Sequence, residues 1–495
     1  MEYLIGLDIG TSGTKGVLFD TNGQPKFSHT EEYPMYQPQN GYAEENPDDL
    51  WEASKLVLKA LAEEAKGGKI LGIGLSGQMH SLCLLDKDNK VIRPAILWCD
   101  TRTANECEEI EELVGSDRLR EITASSALPG FTASKIMWVK KHEPDNYARV
   151  AHILLVKDYI RFKLTGEYAT DVSDASGMQL FDVRGRCFSE EICDKIGVDT
   201  ALLPRVYESC EVSGYISREA SLLTGLDDGI PVAAGAGDNA AAAIGTGVCS
   251  DGQAFTTIGT SGVVFAHTKE LVKDAGGRVH TFCAAVPGEW HVMGVTQAAG
   301  LSLNWLRSNI MKEKSYSDID RECAEIPIGA DRLIFLPYLM GERTPVLDGN
   351  ARGVFFGLSA LHTDAHLARA VVEGVSFSLM NCLDVLVEMG VSVNDMAFCG
   401  GGAKSPFWRQ MLADVYNRPI TIKSSTEGAA LGAALLAGCA AGVYRSVAEA
   451  CGIAVRDKET TSPSASRHEE YMRYYKVYNG LYPSLKESFS TLKED

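Results

Sequence analysis

The chain has no Cys-x-x-Cys pair among its 13 scattered cysteines. Neither a zinc site nor a disulfide framework is signalled, and scattered thiols fit a reducing cytoplasm. It has no Gly-x4-Gly-Lys-Ser/Thr sequence, which removes a P-loop. Basic residues are in deficit: 47 Lys and Arg against 66 Asp and Glu leave a net charge of -19. That deficit argues against sequence-independent binding to nucleic acid, which needs a basic surface. Long apolar runs are also missing. The longest uncharged one, Gly428–Val443, covers 16 residues and is rich in Gly and Ala, which suits a buried helix better than a membrane span. The Met1–Ile5 segment has no basic region ahead of its apolar residues, so no secretory signal is expected. Low-complexity tracts are absent as well.

What is present is a near-repeat. Gly6-Leu-Asp-Ile-Gly-Thr-Ser-Gly-Thr-Lys-Gly-Val-Leu-Phe-Asp20 returns about half the chain later as Ala254-Phe-Thr-Thr-Ile-Gly-Thr-Ser-Gly-Val-Val-Phe265. Each copy reads as strand, Gly-Thr-Ser-Gly turn, strand. Glycine allows a tight turn and lets backbone N–H groups approach an anion, while Thr and Ser hydroxyls add donors. One such turn is an ordinary hairpin; two matched turns predict a duplicated domain with a nucleotide held between the halves. At 495 residues the chain exceeds a single core. We expect α/β domains over 1–247 and 248–495, with the glycine-dense stretch Gly245–Gly252 as the hinge. The final helix, about Glu469–Phe489, is expected to pack back on the first domain.

The local signals are specific in places. Asn46-Pro47-Asp48-Asp49 predicts a helix start, with Asn46 as N-cap and Pro47 in the first turn. Residues 103–196 read as mainly helical, Ala365–Met389 as one long helix and 455–468 as polar loop. A Gly-x-Gly-x-x-Gly match at Gly72, Gly74 and Gly77 falls inside a strand and runs into a hairpin. The nicotinamide-binding oxidoreductase that this motif would suggest therefore fails its context test.

Several residues are candidates for chemistry. Asp8 stands two residues before the first turn, where a carboxylate beside phosphates makes sense with Mg²⁺ between them. Thr11, Ser12, Gly13, Thr14 and Lys15 form the first phosphate candidate, and Gly259, Thr260 and Ser261 the second. Asp238 follows an apolar strand and precedes an alanine-rich helix. It fits a helix cap, and equally a base for a substrate hydroxyl. Gln78, Met79 and His80 offer polar and apolar contacts to a polyol. Trp98, with Asp100 and Arg102, could stack on and bond a sugar. Gly400, Gly401 and Gly402, followed by Lys404 and a helix, suit a nucleotide at a helix N-terminus.

Together these residues resemble the FGGY family of carbohydrate kinases, within the actin- and hexokinase-like ATPase architecture of two ribonuclease-H-like domains around a cleft. Further carriers are Ser76-Gly-Gln-Met-His80, Ile96-Leu-Trp-Cys-Asp-Thr-Arg102, Ser134-Lys-Ile-Met-Trp138 and Leu336-Pro-Tyr-Leu-Met-Gly-Glu-Arg-Thr-Pro345. Ala351-Arg-Gly-Val-Phe-Phe-Gly-Leu358 and Arg369-Ala-Val-Val-Glu-Gly-Val-Ser-Phe377 also match. The resemblance covers essentially the whole chain. It implies ATP-dependent phosphorylation of D-xylulose at the 5-hydroxyl, with another ketose or a polyol as the alternative. It implies Asp238 as catalytic base with Asn239 beside it, Met79 and His80 against the sugar, and Gly400–Gly402 at the adenosine. Asp8 and Asp238 would face Mg²⁺ through water. Ser81 and Cys99 stand where the family pattern has Gly and Asn. The implied partners are a sugar and ATP, with no nucleic acid and no membrane; a homodimer is left open. A binding module gated by ATP, like actin or the heat-shock chaperones, is the rival of another class.

Overall fold

The computed structural model describes residues 1–492. Two seven-stranded sheets organise it. In the first, Glu2–Ile9, Gly13–Asp20 and Pro25–Glu32 form an antiparallel meander, and Lys69–Gly77 lies parallel beside Glu2–Ile9. In the second, Gly252–Ile258, Gly262–Thr268 and Trp290–Thr296 form the meander, and Val393–Gly400 lies parallel beside Gly252–Ile258. The duplication expected from the two glycine turns is therefore a duplication of topology. A helix joins meander to parallel strand in each half: Pro47–Glu64 in the first and Asp364–Glu388 in the second.

The Pro47–Glu64 helix starts as its sequence dictates, with the Asn46 side chain accepting from the Asp48 N–H. The Asp364–Glu388 helix is long and apolar enough to cross a membrane, but it is the central helix of the second core, and most of it is buried. The 103–196 stretch is mainly helical, as expected, with short strands between its helices. Its His152–Leu155 strand joins Leu82–Leu85 in a separate four-stranded sheet. The 455–468 stretch also holds more than loop: Asp457–Thr461 is an edge strand of the second sheet.

The final helix, Ala465–Thr491, corrects one expectation. It packs on the second core through Tyr471, Tyr475, Tyr478 and Phe489, not on the first domain. The segment that does return to the first half is Gly428–Ala440. Its alanines cluster with Leu4, Val17 and Phe19 of the first sheet and with Ala240, Ala241 and Ile244 of the Asp238–Gly245 helix. The approach is backbone to backbone. A Cβ at Gly6 would lie 1.8 Å from the Ala430 carbonyl oxygen, and one at Gly74 1.9 Å from that of Ala433. A Cβ at Gly432 would lie 1.8 Å from the Ala241 carbonyl oxygen. Only a hydrogen fits at these three points, and that is what seats the second half against the first.

Candidate active site

The site begins at the C-terminal ends of three neighbouring strands. Asp8 pairs in register with Ser76, and Gly237 with Gly77, so Asp8 and Asp238 flank the end of Lys69–Gly77. The Ser76 hydroxyl donates to Asp8 Oδ1 at 2.8 Å. Asp238 opens the Asp238–Gly245 helix, and its Oδ1 accepts from the Asn239 N–H at 2.7 Å and from Asn239 Nδ2 at 3.0 Å. Burial raises both carboxyls; the charge of Asp8 adds to the effect on Asp238, which is pushed up to about 6. Two neighbouring carboxylates that repel favour a cation between them. No group of three or more His, Cys, Asp or Glu side chains forms a metal cage among the described residues. One or two carboxylates completed by water and phosphate is the donor set that suits Mg²⁺.

Both glycine turns close on themselves. Gly10 N–H donates to the Gly13 carbonyl, and Gly259 N–H to the Ser261 carbonyl, each at 3.0 Å. Thr257 holds the place in the second copy that Asp8 holds in the first, so the pseudo-symmetric pair carries one carboxylate. Thr260 is exposed at the second turn. Beside it, Ile258 pairs with Gly400, which brings the triple glycine to the same sheet end. Gly400 has φ +80 and Gly401 is exposed. Gly401–Lys404 is a short 3₁₀ turn rather than an open loop, and it runs into the Pro406–Tyr416 helix, capped by Ser405.

The first turn is more committed than its sequence shows. Thr14 is buried and its hydroxyl lies 3.4 Å from that of Ser54, so it faces the core and not a phosphate. Lys15 Nζ pairs with Glu427 at 2.5 Å. Trp98 Nε1 donates to Thr11 Oγ1 at 3.0 Å, and Thr11 Oγ1 donates to Gln78 Oε1 at 3.3 Å. Gln78 is buried, and its Nε2 donates to Glu45 Oε2 at 2.8 Å. It therefore couples the turn to a buried carboxyl rather than presenting its amide to a sugar. Asp100 and Arg102 are also withdrawn. Asp100 accepts from Ala43 N–H at 2.6 Å and from Arg102, whose guanidinium stacks 3.6 Å over Tyr42. Trp98, at 37% exposure, stays partly open to solvent beside the first turn.

Met79 and His80 follow directly after the Lys69–Gly77 strand and Gln78. The Met79 thioether packs against Gly237. His80 adopts φ +69, a conformation that costs a non-glycine residue about 1–3 kcal/mol and needs support. Thr132 Oγ1 and Lys135 Nζ both donate to its carbonyl at 3.0 Å, which gives the Ser134–Trp138 motif a role. The ring packs on Phe131, and Nδ1 lies 2.8 Å from the Gly177 carbonyl. Burial and the Lys135 charge hold His80 well below its ordinary pKa. The ring is neutral; with Nδ1–H donating to Gly177, Nε2 is an acceptor.

Glu45 and Glu427 went unnoticed in the sequence. Nothing local marks either one; each matters only through a partner the fold brings to it.

Comparison with known proteins agrees with this geometry. The pattern of the FGGY family of carbohydrate kinases, N-terminal domain, matches residues 3–245, and its C-terminal domain matches residues 254–441. The chain is 38% identical to a xylulose kinase of Bacillus subtilis (strain 168) over 498 residues, covering 100% of this chain and 99% of the relative. Among solved structures, a ligand-bound xylulose kinase from Lactobacillus acidophilus superposes with TM-score 0.95 at 28% identity, covering 100% of both chains. A gluconate kinase from the same organism gives TM-score 0.94 at 27% identity, covering 99% of this chain and 100% of that one. The chain belongs to the FGGY family of carbohydrate kinases.

Proposed function

We propose that the chain transfers the γ-phosphoryl group of ATP to the 5-hydroxyl of D-xylulose, giving D-xylulose 5-phosphate and ADP. The observation that carries the chemistry is Asp238: a carboxylate at a strand end, pushed up to about 6, with Oδ1 engaged by Asn239 alone. The full-length likeness to xylulose kinases supports the sugar.

In this reading Asp238 accepts the 5-hydroxyl proton as the new O–P bond forms. The bond from γ-phosphorus to the β,γ-bridging oxygen breaks and its electron pair leaves with ADP. The turns Gly10–Gly13 and Gly259–Gly262 supply backbone N–H groups and hydroxyls to the phosphates, and Lys15 supplies positive charge. Gly400, Gly401, Gly402 and Lys404 receive the adenosine end. Met79, the acceptor Nε2 of His80, Asn239 and Trp98 take the sugar. Asp8 and Asp238 would hold Mg²⁺ through water, and the ion would neutralise phosphate charge. Residues 1–247 and 248–495 are read as two domains that close and exclude competing water in the cytoplasm.

An ADP-release assay tests this with D-xylulose, D-ribulose, a deoxyketose, a polyol, gluconate and no sugar. The highest kcat/KM is expected with D-xylulose. ADP release indifferent to every sugar would defeat the kinase mechanism, and a higher kcat/KM with another acceptor would replace the substrate.

A further inference from the structure

Behind Asp238 lies a group of charged side chains with no exposure to solvent: Lys157, Asp158, Arg161, Asp171 and Asp174. Lys157 Nζ sits 2.9 Å from Asp158 Oδ1, 2.8 Å from Asp171 Oδ2 and 3.5 Å from Asp174 Oδ2. Arg161 Nη2 sits 2.7 Å from Asp158 Oδ1. Burying ions costs several kcal/mol each, and apolar residues would fill the same space at no such cost. The question is what the charges hold.

Several bonds leaving the group reach Ala234–Gly237, the stretch immediately before Asp238. Arg161 Nη1 donates to the Ala234 carbonyl at 2.6 Å. The Gly237 N–H donates to Ser173 Oγ at 3.1 Å, and that hydroxyl donates onward to Asp171 Oδ1 at 2.5 Å. Ser209 Oγ donates to the same Asp171 oxygen at 3.2 Å, while the Ser209 carbonyl accepts from the Gly235 N–H at 3.0 Å. Three anchor points, at Ala234, Gly235 and Gly237, thus trace back to one buried ionic cluster. Gly235, at φ +77, takes a path on which a Cβ would strike the Leu75 carbonyl at 2.1 Å, so this backbone has little freedom elsewhere.

We propose that Asp171, acting through Ser173 and Ser209 and neutralised by Lys157, is a positioning residue for the catalytic base. It fixes the backbone from which Asp238 projects toward the acceptor hydroxyl. The inference rests on the reading of Asp238 as base. Ser173 carries the test because it is the single hydroxyl between Asp171 and the Gly237 N–H, and changing it alters no charge.

The experiment compares Ser173→Ala, Ser173→Thr, Ser209→Ala and Asp238→Asn for kcat, KM for ATP, KM for D-xylulose and urea midpoint. A displaced reacting group of about 1 Å can cost on the order of 100-fold in rate. Ser173→Ala is therefore expected to lose roughly 10- to 100-fold in kcat with both KM values held within about threefold, and Ser173→Thr, which keeps the hydroxyl, to recover most of it. Should Ser173→Ala fail to fold, Ser209→Ala carries the same expectation at a smaller loss. Serine variants that unfold earlier in urea yet keep wild-type kcat overturn the proposal and leave the cluster as core. So does an equal kcat loss in Ser173→Ala and Ser173→Thr. An active Asp238→Asn defeats the base assignment instead, which separates the two failures.

Discussion

Lys15 Nζ lies 2.5 Å from the Glu427 carboxylate, so the first glycine-turn hairpin is tied to the start of a helix that arrives from the second half of the chain. The pair is partly exposed, with side-chain accessibilities of 39% and 18%. Such bridges contribute about 0–1 kcal/mol, too little to keep Lys15 from a triphosphate. Lys15→Met is expected to raise KM for ATP roughly tenfold, the loss of one charge-assisted contact, while the urea midpoint barely moves. Glu427→Gln is expected to lower that KM or leave it unchanged. A rise of KM in Glu427→Gln equal to that in Lys15→Met would mean that the bridge itself shapes the site.

Asp238→Asn should separate catalysis from stability. Removing a general base costs about 10²–10⁴ in rate, while nucleotide binding, measured by titration calorimetry, should persist. Burial and Asp8 push the Asp238 carboxyl up to about 6. The folded chain therefore keeps this proton between pH 3.8 and about 6, where the unfolded chain releases it. The stability contributed by this group is complete below pH 3.8 and is lost as pH rises through about 6. At pH 7 the neutral amide is expected to be more stable by on the order of 2 kcal/mol. Activity runs the other way, and wild-type kcat/KM should fall with an acid limb near pH 6. A flat profile from pH 5 to 8 would sink the assignment.

Glu45 offers a pH prediction away from the chemistry. Burial pushes its carboxyl up to about 8. The folded state holds the proton from the ordinary carboxyl value of 4.5 up to about 8, so this contribution to stability is lost as pH rises across that range. Glu45→Gln keeps a neutral partner beside Gln78. Its urea midpoint should vary less than that of the wild type between pH 6 and 9, with activity at pH 7 nearly unchanged. An equal pH dependence in both proteins would show that Glu45 does not titrate as described.

Gly74→Ala places a methyl 1.9 Å from the Ala433 carbonyl oxygen, where backbone must move to make room. Overpacking of a rigid contact costs about 1–3 kcal/mol or more. Guanidinium unfolding should show at least that loss, and Gly67→Ala, at a loop glycine with nothing within 4 Å, should lose less despite its positive φ. Equal losses at the two positions would remove the case for a close-packed seam.

Much of the fold was legible because its signals are local. Asn46-Pro47 starts a helix by capping, and Gly-Thr-Ser-Gly closes a hairpin by turn chemistry; both act within a few residues. The helix expected after Lys404, Pro406–Tyr416, starts by the same means, with Ser405 as cap and Pro406 in the first turn. What escaped depends on distant partners. Asp457–Thr461 is polar throughout and becomes a strand only because Ile420–Lys423 pairs with it. The tyrosines of the final helix mark a buried face without saying which core receives it. In the site, Asp8 and Asp238 were readable from strand ends, and the structure sets them on either side of one strand. The inward turn of Thr14, Gln78, Asp100 and Arg102 was not, since a motif gives a residue's neighbours in sequence but not the direction of its side chain.

The glycine seam along Gly6, Gly74 and Gly432 bears on how the polypeptide can be dissected. Cut after residue 247, the first part would leave a bare strip of sheet wetted by solvent, and the remainder would carry an alanine-rich rod with no bed to lie in. Each piece would leave an apolar face uncovered, so each is expected to need the other to stay folded.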